Sequence, residues 1–166
     1  MGATLWRFKS SLPHHWFSTC CGVFTMSEFE QFQALLEEQD IFYKIDSFRD
    51  GTQLFCIPQN LEAGGVVEVL VVFGDDYVKI VVLKIATIND PEKRFAVYDL
   101  FNDLNRAYKF FKFHIDSDGD VIFEGDLVTD LRDGEFHPDT LMAYIAAALT
   151  MVKTAYPKIM KIMWSD

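Results

Sequence analysis

Cysteine is scarce in this sequence, with three among 166 residues. Cys20 and Cys21 are adjacent and Cys56 stands alone in a strand-like run, so no disulfide framework can be assembled, and the reading is of a reducing cytoplasm. Zinc is excluded by the same shortage. His14, His15, Cys20 and Cys21 form two adjacent pairs that cannot easily point inward together, and there is no C-x-x-C or H-x-x-x-H spacing. Basic residues are also short, 15 against 25 acids, giving a formal charge of −10. Such a surface repels phosphate backbones, which excludes a nucleic-acid partner and favours, if any, a basic one. No apolar run approaches the roughly twenty residues that span a bilayer; the longest helical one is "LMAYIAAALTMV" at 141–152, so no membrane partner is expected. G-x-S-x-G, the Walker A loop, G-x-G-x-x-G and H-E-x-x-H are all missing, so no cofactor and no catalytic residue are implied.

Residues 1–27 lack acid altogether and carry Arg7 and Lys9, leaving 13 basic against 25 acidic residues beyond them, a formal −12. The segment 1–25 has no amphipathic period and no apolar stretch long enough for a secretory signal. Two readings stand, an organelle-type presequence and an over-long start or non-native leader. The second is preferred because Met26 opens "MSEFEQFQALLEEQ", a natural start followed at once by a helix. Residues 1–25 are therefore expected to be a non-domain leader, dispensable for folding, and 26–166 a single domain.

What is abundant is apolar: half the residues are hydrophobic and sixteen are Phe, enough for one sizeable core. Ser27 and Glu30 have capping-box spacing before the stripe Phe29, Phe32, Leu35, Leu36, and this helix should end near Gln39. "FYKIDSFRDGTQLFCI" reads as two strands around Asp50-Gly51, followed by strands at 66–73 and 77–86. Asp90-Pro91 opens a second helix whose buried face is Val97, Leu100, Phe101, Leu104 and Tyr108. Two strands, roughly 108–116 and 120–128, precede a last helix from His137-Pro138 that Pro157 should break, with "KIMKIMW" as a short final turn or helix. The order is α-ββββ-α-ββ-α, an α+β fold with a mainly antiparallel sheet and helices packed on it.

Asp116, Asp118 and Asp120 are the most chemical-looking group. An EF-hand starting at Asp116 needs Gly at position 6 and Glu at position 12, where Val121 and Leu127 stand. A three-residue hairpin loop, Ser117-Asp118-Gly119, instead sets Ile115 against Val121 and Phe113 against Phe123, so a turn and not a cation site is expected. His114 reads as a sheet-surface residue and His137 as part of a helix start. Asp99 and Asp103 read as a solvated helix face. The acids from Asp116 to Asp139 serve solubility or a basic partner. Phe95 and Tyr98 fall outside the second helix's core stripe, Phe95 nearly opposite to it. They are either exposed singletons or a partner surface, and are the candidate partner-binding residues.

Two stretches carry a family likeness. "YDLFNDLNRAYKFFKFHIDSDGDVIFEGDL" (98–127) resembles the middle of bacterial YbjN-domain proteins, and "FHPDTLMAYIAAALTMVKTAYPKIMKIMW" (136–164) is similar to that family's last helix, including a Tyr-Pro near its end. The resemblance implies a fold like that of type III secretion chaperones, a twisted antiparallel sheet with helices, paired as dimers through the second helix and adjoining sheet. It brings the label sensory transduction regulator and no catalytic residues. The expectation is a non-enzymatic, protein-binding, chaperone-like or regulatory module, a homodimer with an unidentified client. The alternatives are an enzyme whose site is assembled from scattered residues, or a structural subunit of a larger assembly.

Overall fold

The structure, a computed structural model, describes residues 26–62, 64–74, 77–128 and 136–165. The leader, with His14, His15, Cys20 and Cys21, lies outside the described residues. Ser27 has an extended backbone, its side chain accepts the Glu30 amide at 3.3 Å, and the Glu30 carboxylate takes the Ser27 amide at 2.9 Å. That capping box opens α1 (Glu28–Glu38). The helix closes with Asp40 in the left-handed region (φ 53°), its amide on the Glu37 carbonyl and that of Ile41 on the Leu36 carbonyl. These two hydrogen bonds satisfy carbonyls that a helix end otherwise leaves free.

Then follow β1 (Lys44–Ser47), β2 (Gln53–Asn60), β3 (Val66–Phe73), β4 (Tyr77–Leu83), α2 (Pro91–Ala107), β5 (Lys112–Ile115), β6 (Val121–Val128) and α3 (Pro138–Trp164). The order expected from the sequence is the order found. Among the described residues the strands form one six-stranded antiparallel sheet, β1-β2-β3-β4-β6-β5. Chain neighbours pair as hairpins except at α2, which carries the chain from β4 past the position that β6 fills. The β1–β2 turn places Gly51 at φ 91°, and the β5–β6 turn places Gly119 at φ 90°, conformations open to glycine at no steric cost.

The three helices cover one sheet face. Phe32 of α1 meets Phe55 and Phe73 edge-on or tilted, Phe101 of α2 stacks on Phe113 with centroids 5.1 Å apart, and Leu141, Ile145, Ala148, Val152 of α3 complete a continuous core. The other face alternates out of that core, with Leu70, Val81, Leu83 and Ile122 half-buried among Glu68, Lys79 and Glu124.

One element departs from expectation. Pro157 does not break the last helix: α3 runs for 27 residues to Trp164. Proline there removes one intrahelical bond and crowds the preceding turn. However, Ala155 and Ile159 on either side of it are fully buried, and their packing holds the backbone helical through the exposed proline.

Candidate functional site

The candidate surface is the outer side of α2. Asp90 caps the helix, its carboxylate accepting the Glu92 amide at 2.9 Å, and Pro91 occupies the first turn. Val97, Phe101 and Leu104 are buried, and Leu100 and Tyr108 half-buried. At about 100° per residue, Phe95 stands roughly 160° from Val97. The structure leaves it 73% exposed, with Tyr98 beside it at 47%. Asp99, Glu92 and Asp103, all exposed, project on one flank of Phe95 and Tyr98 on the other. The structure thus brings together the two aromatics that the sequence singled out, on a helix whose opposite side is fixed in the core. The Asp99/Asp103 pair is on this solvated face.

The aspartate loop is a turn. The Asp116 amide donates to the Asp120 carbonyl at 3.0 Å, and one Asp116 carboxylate oxygen accepts the amides of Asp118 and Asp120 at 2.9 and 2.8 Å. Ile115 pairs with Val121 and Phe113 with Phe123, as the three-residue loop requires. Asp120 takes the Thr87 hydroxyl at 2.5 Å. Asp116 thus holds the hairpin turn, and Asp120 ties it to the neighbouring Thr87.

The open sheet face carries paired charges. Lys79 Nζ lies 3.3 Å from Glu124 and 3.6 Å from Asp126, and His114 Nδ1 lies 3.8 Å from Glu124. Partial burial works against the Lys79 ammonium, but the hydrogen bonds and charges of Glu124 and Asp126 outweigh it and raise its pKa. Cys56 sits on the same face. Burial, and then the charges of Glu68 and Asp46, push its thiol up, which keeps it protonated and a weak nucleophile at neutral pH. His137 precedes α3 without a side-chain capping bond. Among the described residues no helix is long and apolar enough to cross a membrane.

One residue escaped the sequence reading. Asn105, on the last turns of α2, donates from Nδ2 to the Phe113 carbonyl at 3.0 Å and accepts the Phe113 amide on Oδ1 at 2.7 Å. It does for β5 what a neighbouring strand would do. Lys112 adds a bond to the Asn105 carbonyl at 2.7 Å and another to the Tyr108 carbonyl. α2 is thereby fastened along the β5 edge, with its outer side toward solvent. No pattern of apolar periodicity marks such an asparagine, because its partner is a backbone that only the fold brings near.

The family model YbjN, described as "Putative bacterial sensory transduction regulator", matches residues 30–160 of the chain. No curated protein matches it.

Proposed function

The chain belongs to the YbjN family, and from that premise we propose that it is a non-enzymatic protein-binding module, chaperone-like or regulatory, whose partner seats on the outer side of α2. The observation that carries this is the pair Phe95 and Tyr98, exposed at i and i+3 on a helix whose other side is packed in the core. Covering such side chains is worth about 1.5–3 kcal/mol each, and two at neighbouring i, i+3 positions make a patch that a partner gains by burying. The flank of Glu92, Asp99 and Asp103 and the formal charge of −10 suit an apolar segment with basic neighbours. The partner is a protein client or a second copy of the chain.

The test is a comparative pull-down from native cells, wild type against Phe95→Asp, with identification by mass spectrometry and thermal melts of both baits. Expected is a set of proteins retained by wild type and lost by Phe95→Asp at unchanged melting temperature. An identical set from both baits removes this surface as the binding site.

A further inference from the structure

The two edges of the sheet are treated differently by the fold. At β5 the outward backbone groups of Phe113 are taken by Asn105, so α2 covers part of that edge. At β1, among the described residues, nothing lies beyond. The direction of its free groups follows from the hairpin. The Phe48 amide donates to the Thr52 carbonyl at 2.9 Å, so Phe48, Asp46 and Lys44 turn their backbone groups toward β2. Tyr43, Ile45 and Ser47 therefore turn theirs outward, because the two directions alternate along an antiparallel strand. This bare edge is also apolar: Phe42 is 65% exposed, Ile45 45% and Phe48 49%. An uncovered apolar edge is a template for another strand.

The sequence along that edge, Phe42-Tyr43-Lys44-Ile45-Asp46-Ser47-Phe48, is complementary to itself when reversed. An antiparallel pairing centred on Ile45 sets Ile45 against Ile45 of a second copy. It sets Lys44 against Asp46, Tyr43 against Ser47 and Phe42 against Phe48. In this register every outward amide and carbonyl from Tyr43 to Ser47 finds a partner. Lys44 and Asp46 project on the same face, with Phe42 and Phe48 beyond them, so ion pairs and aromatic pairs line up across the junction. Centring on Lys44 or on Asp46 instead opposes like charges. A lysine on an edge strand ordinarily repels other strands; in this register Asp46 of the second copy neutralises it.

We infer that two copies of the chain pair edge to edge through β1, in the register centred on Ile45, forming one continuous twelve-stranded sheet. The inference is independent of the α2 reading and assigns the second copy to a different surface. α2 packs beside β5 at the far end of the sheet, so the pair presents its two α2 faces outward, at opposite ends, free for clients.

The test is sedimentation equilibrium on the full chain at tens of micromolar. Wild type is expected to be a dimer. Asp46→Lys and Lys44→Asp each place like charges opposite one another twice, and each weakens the dimer at least about tenfold. An equimolar mixture of the two single variants recovers dimer, as does the double variant Lys44→Asp/Asp46→Lys. Recovery on mixing excludes misfolding as the cause of the single-variant loss. A monomeric wild type, or a dimer indifferent to both single swaps, overturns the inference. Phe95→Asp leaves the β1 dimer intact; a dimer lost in Phe95→Asp places the second copy on α2 and overturns it equally. Loss of clients without loss of the dimer in Phe95→Asp upholds both readings, and retention of both leaves the β1 dimer standing while the α2 proposal fails.

Discussion

Gly119 shows how one residue fixes the order of others. Its φ of 90° is left-handed, and a Cβ there would stand 2.8 Å from the Ile88 carbonyl oxygen. That carbonyl is already held by Arg94 Nε at 2.8 Å, and the Ile88 amide in turn donates to the Gly119 carbonyl. The turn, the approach to α2 and the α2 arginine thus meet at one point. Gly119→Ala is expected to lower stability by about 1–3 kcal/mol, read as a fall in melting temperature of about 2–4 °C per kcal/mol for a domain of this size; an unchanged melt would show that the loop relaxes freely. The place of this residue in a three-residue turn was legible in the sequence, because the pairing of Phe113 with Phe123 demanded that loop length. The role of Asn105 was not, since side chain and backbone partner meet only after α2 and β5 have docked.

Among the elements, those governed by short-range rules were the readable ones. α1 begins where Ser27 and Glu30 said it should, and the hairpins fall at Asp50-Gly51 and at the aspartate loop. Helix α3 was misread because proline's local cost was weighed without the burial of Ala155 and Ile159 around it. The adjacency of β4 and β6 was invisible for a related reason: it is a contact between distant segments, set by how α2 crosses the sheet edge. The capping box also makes a pH prediction. The Ser27 amide and hydroxyl hold the Glu30 carboxyl below its ordinary pKa. A depressed folded pKa contributes stability that is complete above the unfolded value, about 4.3, and is lost as pH falls through the folded value. Glu30→Gln is expected to reduce the loss of stability on acidification in that window, seen as a shallower acid limb in melting temperature against pH. A wild-type limb reproduced unchanged in Glu30→Gln would show that the box contributes nothing there.

At the scale of the whole molecule, one sheet face is buried under three helices, one sheet edge is fastened by α2 and the other is bare. Composition alone revealed the size of the core and the acid excess. The exposed pair on α2 was legible too, because helical period separates Phe95 from its core stripe. The bare edge was not, since an exposed Phe42, Ile45 or Phe48 is an ordinary apolar residue until the sheet order shows that no strand lies beyond it. The central claim is that the outer side of α2 is covered by another protein in the cell. The most direct measurement is photo-crosslinking in native cells with benzoylphenylalanine placed at position 95, at position 98 and, as a control, at exposed Lys158 on α3. The account predicts discrete adducts from positions 95 and 98 and none from 158, with the adduct mass separating a client from a second copy. Absence of any adduct from both α2 positions, in a variant that folds as wild type, would contradict it.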